Sequence, residues 1–242
     1  FEAWHPDLLL VDVFPRGILG ELASLEFPCP AWLISRWVCS NYAHRPEVMR
    51  ALSRYEQILG VERCNGPVTQ DLGPVVESPI RVEPQPNRLL WLGSGPLHLQ
   101  REQASILEDL APNLGLELQL ASAELGLFSP RPLEAIASAS LVVSAAGYNS
   151  YAQIVQSGRP VIWWPQKRLY DDQAMRSRGE LGLVCRAWHR VVTSSDQLVD
   201  ALRQWNQQRP TASPALSLAS PERFAQRVRA KFGLTIPGPC GG

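Results

Sequence analysis

The chain has 242 residues, with 23 Lys and Arg against 23 Asp and Glu, a charged fraction of 19% and a hydrophobic fraction of 45%. At a prior of roughly 150 residues per domain, that length gives one large domain or two small ones with chain enough for a real core. The even charge excludes the basic surface on which nucleic-acid binding usually rests, and no apolar run approaches the roughly 18 residues of a membrane span.

Apolar runs of strand length alternate with helix-period segments, the pattern of α/β units around a parallel sheet. Residues 8–13 read as a buried strand, followed by a turn at Pro15-Arg16-Gly17 and a short helix to about Leu25. A strand at 31–38, a helix at 46–58 and a short strand at 61–64 come next. Residues 66–86 are rich in Pro without a helical period, which predicts an interdomain linker and a boundary near residue 80. Beyond it the alternation is regular. Strands are predicted at 88–92, 116–121, 141–144, 160–164 and 183–187, and helices at 100–110, 132–138, 150–156, 173–181, 196–207 and 221–232. Residues 81–242 therefore read as a complete Rossmann-like, doubly wound domain with a helix after its last strand. Residues 1–80 supply only two or three strands, fewer than such a sheet normally has. They are expected to be part of a second α/β domain, the remainder lying upstream or on a partner chain.

Cys29, Cys39, Cys64, Cys185 and Cys240 are odd in number and never form a CxxC pair. That spacing suits reduced thiols of a cytosolic protein and gives no zinc site. Chemistry is better sought where small residues follow strands. Gly93-Ser94-Gly95 ends the strand at 88–92, but His98 occupies the place of the third glycine of a dinucleotide fingerprint. After the strand at 141–144, a small-residue turn leads into a helix starting at Gly147 to Ser150, where free N–H groups and the positive helix end would suit a phosphate. Asp171, Asp172 and Gln173 open another helix at the same predicted sheet edge and can hydrogen-bond a polyhydroxylated group. Asn149, Ser150, Asp171 and Asp172 are also residue types that cap helices.

In order along the chain, AAGYNSYAQ, SGRPVIWWP and DDQ resemble the donor-binding signature of GT-B nucleotide-sugar glycosyltransferases. The pattern is similar to that of plant secondary-product enzymes and of the bacterial transferase that adds N-acetylglucosamine to lipid-linked peptidoglycan precursors. The resemblance covers residues 88–232, with a weaker match at PDLLLVDVFPRGILGEL. It implies that Gly147, Tyr148, Asn149 and Ser150 hold a diphosphate, assisted by Ser94 between Gly93 and Gly95. Leu127 and Phe128 would meet a nucleobase such as uracil, and Asp172 and Gln173 the sugar hydroxyls. The last helix would cross back to the N-terminal domain. Two positions depart from the pattern: Gln153 stands where the family has a Glu accepting both ribose hydroxyls, and Ala145 where the plant enzymes carry a phosphate-binding His. Both imply weaker nucleotide binding or a different nucleotide.

The implied reaction is transfer of a hexosyl group from a nucleoside-diphosphate sugar to an acceptor hydroxyl, with no metal and no cofactor. The sequence does not identify the acceptor. The family's base comes from the N-terminal domain, where Asp12 is the best remaining acid, although an Asp there can equally cap the turn after it. Two alternatives stand beside transfer: a nucleotide-sugar hydrolase or epimerase of the same architecture, and a non-catalytic nucleotide-sugar-binding partner subunit.

Overall fold

The computed structural model describes residues 6–127 and 131–232, and Phe128 lies outside the described residues. Two all-parallel sheets with interleaved helices make up the α/β architecture. The first sheet holds β1 (Leu9–Asp12), β2 (Ala31–Ser35), β3 (Gln57–Gly60) and β4 (Gln70–Asp71) in that spatial order. Helices α1 (Ser40–Ala43) and α2 (Pro46–Leu52) lie between β2 and β3. Its core is Val11, Ala31, Leu33, Tyr55 and Ile58. Four strands form where two or three were expected.

The local differences have physical reasons. No helix follows β1, because Pro15 and a left-handed Gly17 (φ 77°) break the run. The loop is instead held from outside: the Tyr55 hydroxyl donates to the Pro15 carbonyl at 2.8 Å, and Arg54 donates to the Leu22 carbonyl at 2.7 Å and also to that of Leu25. The helix expected to run to residue 58 stops at Leu52. Residues 57–60 pair with β2 instead, because Ile58 and Leu59 bury more apolar surface in the sheet.

The second sheet is built from β5 (Arg88–Leu92), β6 (Glu117–Ala121), β7 (Leu141–Ser144), β8 (Val161–Trp163) and β9 (His189–Val191). Its helices are α3 (Leu97–Asn113), α4 (Pro132–Ser138), α5 (Tyr148–Ser157), α6 (Gln173–Ser177) and α7 (Ser195–Gln208), with α8 (Pro221–Phe232) last. Alternate residues feed opposite faces, as a sheet covered on both sides requires. Leu89, Trp91, Leu141, Val143 and Ile162 pack with Leu107, Leu198, Leu202 and Trp205, while Leu90, Val142, Val161 and Trp163 pack with Ile136, Tyr151 and Ile154. The edge strand is residues 189–191, not the expected 183–187. In that earlier stretch the Leu183 carbonyl accepts from the Tyr151 hydroxyl at 2.7 Å, leaving it unpaired with β8.

Spatial order β6-β5-β7-β8-β9 reverses between β5 and β7, and such a reversal opens a crevice at the carboxyl ends of those two strands. The two halves meet beside it. Val76 N–H donates to the Ala219 carbonyl at 2.8 Å, and Phe224 of α8 shares a hollow with Trp32 and Leu59 of the first sheet and with Leu72 just after it. A buried ion pair ties them more tightly: Arg176 of α6 (1% exposed) donates from Nε and Nη2 to Glu62, just after β3, both at 2.9 Å. Removing one member of such a pair strands a buried charge. Arg176→Met should therefore lower unfolding free energy by about 3–5 kcal/mol, as read from urea denaturation; a loss below about 1 kcal/mol would show that the pair is solvated or dispensable.

Candidate functional site

A cleft of about 740 Å³ occupies the crevice, lined by both carboxyl-end loops of the reversal and by Arg36 of the first half. Of the residues singled out in the sequence, Gly93, Ser94, Leu127, Gly147, Tyr148, Asn149, Ser150, Gln153, Asp171 and Gln173 line it. Asp12, Gly95 and Asp172 do not.

Each wall follows from local sequence. Gln100, fully buried on α3, donates from Nε2 to the Gly95 carbonyl at 2.7 Å, and its Oε1 accepts from the Ser122 hydroxyl at 2.5 Å. One side chain thus fixes the loop after β5 to the loop after β6. Gly93 has to be small, because a Cβ there would lie 2.3 Å from the Trp91 ring and 2.7 Å from Gln100 Oε1. Ser122 and Leu127 exchange two backbone hydrogen bonds of 2.8 Å, closing a turn that presents a part-exposed Leu127 to the cleft.

The opposite wall is the start of α5. Its N-cap, Gly147, makes no side-chain cap, as is also true of α1 to α4, whereas α6 is capped by Asp172 (Oδ1 to Met175 N–H, 2.9 Å) and α7 by Ser194. The Ser150 hydroxyl donates to the Gly147 carbonyl at 3.1 Å, so it does not satisfy the first-turn amides either. Those amides and the positive helix end are left for a ligand. Ala146, just before, is held in the left-handed region (φ 62°), a strain of about 1–3 kcal/mol for a residue with a Cβ. Arg176 holds it there, with Nη1 donating to the Ala146 carbonyl at 3.1 Å.

Arg176 also binds Asp171, through Nη1 to Oδ2 at 3.0 Å and Nη2 to Oδ1 at 2.6 Å. Burial works against its charge, but the hydrogen bonds and charges of Glu62 and Asp171 outweigh that and raise its pKa. Gln173 accepts from the Gln166 backbone N–H at 2.8 Å through Oε1, and its Nε2 would lie 3.9 Å from a Cβ on Gly147. Burial pushes the Tyr148 phenol up to about 12, with Glu62 adding to the shift and Arg36 and Arg176 opposing it. The ring is a neutral wall at working pH.

Among the lining residues not anticipated from sequence are Arg36, Arg168 and Tyr170, and the pairing of Asp171 with Arg176 was not anticipated either. Tyr170 packs on Phe14 and Tyr42 of the first half, with centroids 5.4 and 5.1 Å away. Asp12, two residues before Phe14, ends β1 next to this aromatic group and is exposed.

No family model matches the sequence, and no curated protein matches it significantly. Solved structures do share its fold. The spinosyn rhamnosyltransferase SpnG complexed with thymidine diphosphate is 18% identical, the match covering 94% of this chain and 74% of that one at a TM-score of 0.56. The chain shares the fold of that enzyme. The same likeness extends to the Streptomyces sp. SF2575 glycosyltransferase SsfS6 complexed with thymidine diphosphate, at 16% identity, 95% and 70% coverage and a TM-score of 0.53. The spinosyn forosaminyltransferase SpnP matches at 15% identity, 96% and 78% coverage and a TM-score of 0.53. At such identities the common ground is the fold, parallel α/β sheets with interleaved helices.

The two glycine loops should respond differently to a methyl group. Gly93→Ala is expected to lose about 1–3 kcal/mol of stability through overpacking. Gly147→Ala, whose Cβ meets only Ser150 Oγ at 3.5 Å and Gln173 Nε2 at 3.9 Å, should stay within about 1 kcal/mol of the parent. Thermal denaturation of the pair checks the difference, and equal losses would contradict the packing described for Gly93.

Proposed function

We propose that the protein binds a nucleoside-diphosphate sugar in this cleft and transfers the sugar to an acceptor hydroxyl by metal-independent displacement. The observation that carries this reading is the uncapped start of α5 opening into the crevice at the sheet reversal. Support also comes from SpnG and SsfS6, whose complexes hold thymidine diphosphate.

In this reading Gly147, Tyr148, Asn149 and Ser150 hold the diphosphate with Ser94, while Leu127 borders the base and Gln153 meets the ribose. Gln173 addresses a sugar hydroxyl through Nε2, and Asp172 contributes by fixing the start of α6. The acceptor oxygen bonds to the anomeric carbon as the bond from that carbon to the diphosphate oxygen breaks. Its proton goes to a base, and the departing electron pair stays on the diphosphate, where amides and cations stabilise it. Asp12 is the acid we assign as base. Cytosolic residence belongs to the same reading, in keeping with free Cys29, Cys39, Cys64 and Cys185.

Titration calorimetry with uridine and thymidine diphosphates tests the site. Gly147→Asp should abolish binding by placing a carboxylate where phosphate belongs, and unchanged affinity would refute the assignment. Gln153→Glu should tighten binding about tenfold if the ribose contact is real, since hydrogen bonds to charged groups are worth about 1.5–3 kcal/mol. Equal or weaker binding would mean that Gln153 serves another contact.

The base is tested by turnover. Asp12→Asn should reduce sugar transfer by about 100-fold or more with donor affinity unchanged, and a chelator should leave transfer intact. The position of Asp12 outside the cleft lining favours a second reading, a nucleotide-sugar-binding subunit without catalysis. Tight donor binding with neither transfer nor hydrolysis would select it.

A further inference from the structure

The cleft contains two guanidinium groups that the fold itself does not use. Arg36 follows the end of β2, is half-buried, and lines the cleft from the first half of the molecule. Its guanidinium carbon lies 5.3 Å from the centroid of the Tyr148 ring at the start of α5. Arg168, exposed on the loop after β8, reaches toward the other glycine loop: its Nη2 would lie 3.7 Å from a Cβ on Gly95. Among the described residues, neither forms an ion pair within 4.0 Å. The neighbouring Arg176, by contrast, is saturated by Glu62, Asp171 and the Ala146 carbonyl.

Within the cleft lining these two cations meet no free anion, and beyond it Arg168 lies near enough to the Glu124 carboxylate to feel its charge. Asp171 is the one acid among the described cleft-lining residues, and both its oxygens are engaged by Arg176. Arg36 is nevertheless firmly positioned. Trp37 N–H donates to Glu62 Oε1 at 3.1 Å, Asn65 Nδ2 donates to the Val38 carbonyl at 2.5 Å, and Cys39 N–H reaches across to the Tyr170 carbonyl at 3.1 Å. Three successive residues after Arg36 are thus held by hydrogen bonds, the last of them to the other half. Contact with the Tyr148 ring is a cation–π interaction that uses no conventional acceptor, and a planar guanidinium fork engages phosphate oxygens in pairs.

We propose that Arg36 and Arg168 form a phosphate clamp with one jaw from each half of the molecule. Arg36 meets the diphosphate beside Tyr148 at the α5 end, and Arg168 meets it from the loop after β8. The clamp rests on the reading of the cleft as a diphosphate site and makes a further demand: the first half contributes directly to donor affinity through charge, independently of any acceptor or base. Ligands should then be ranked by their phosphates, with diphosphate above monophosphate above nucleoside.

Calorimetry on the full chain with uridine diphosphate, uridine monophosphate and uridine, repeated with the thymidine series at two salt concentrations, tests it. Arg36→Ala should weaken the diphosphate by about 10- to 100-fold while changing nucleoside affinity less than about twofold, and should flatten the salt dependence. Arg36→Lys, which keeps the charge without the planar fork, should recover part of the loss. Arg168→Ala should act in the same direction and gives the same readout should Arg36→Ala prove unstable. If both alanine variants keep the parent's preference for diphosphate over nucleoside, the clamp is wrong while the cleft remains a nucleotide site. If the parent chain binds none of these nucleotides, the underlying reading fails and the clamp falls with it.

Discussion

The arrangement of the cleft depends on one buried guanidinium. Arg176 is 1% exposed and holds Glu62 from the first half, Asp171 from the loop before α6, and the Ala146 carbonyl from the loop before α5. A buried ion pair is a poor source of net stability, because desolvating two or three charges offsets most of their attraction. What it supplies is position. A planar fork whose N–H groups are all directed at fixed acceptors tolerates little displacement, so three segments from distant parts of the chain are set relative to one another. Glu62 extends the arrangement through its bond to Trp37 N–H, which brings the end of β2 under the same control.

That node also explains how backbone strain is tolerated at the sheet edge. Ala146 and Val13 both have positive φ, 62° and 63°, and each follows closely on the carboxyl end of a strand. A β-branched residue in that region is unfavourable, so the surroundings must hold it. Val13 N–H donates to the Ile34 carbonyl at 2.9 Å, continuing the β1 to β2 ladder one step past its last pair. Ala146 is held by Arg176. In both halves the chain therefore turns sharply at the sheet edge facing the other half. At Ala146 the turn leaves the next residues free to start a helix whose amides point into the cleft.

How much of this was legible in the sequence depended on the range of the forces involved. Strand β5, helix α4 and strand β7 fall where apolar alternation and small-residue turns put them, because each is covered on both faces and its pattern is unambiguous. The start of α5 was readable from its small residues alone. Short, half-covered edges were not: residues 57–60 carry helical spacing that pairing with β2 overrides, and β9 took over the edge because residues 183–187 bond elsewhere. The Arg176 and Glu62 pairing joins residues 114 apart and leaves no local pattern. One signal was available for Arg176. It lies on a short helix facing the core, where an unpaired arginine would be untenable, so an acidic partner on another element had to exist.

Electrostatics gives the same lesson about averages. A chain with 23 positive and 23 negative residues shows no bulk field, yet the charges around the cleft are sorted. Both acids of the buried node are neutralised by Arg176, while Arg36 and Arg168 keep theirs facing the opening. Screening over about 8–10 Å at physiological salt confines the influence of exposed charges to their neighbourhood, so local sorting, and not net charge, decides what enters. Tyr148 sharpens the effect. Its ring, with the phenol kept neutral by burial, lies within 5.3 Å of one guanidinium and 6.0 Å of another. A charge held against an aromatic wall is less screened than one in open solvent, and the positive end of α5 lies at the same ring. The cleft lining thus combines two arginines that lie outside any ion pair with uncharged residues such as Gln153 and Leu127. Because Arg36 comes from the first half and Arg168 from the second, this sorting of charge arises only when both halves of the chain are in place.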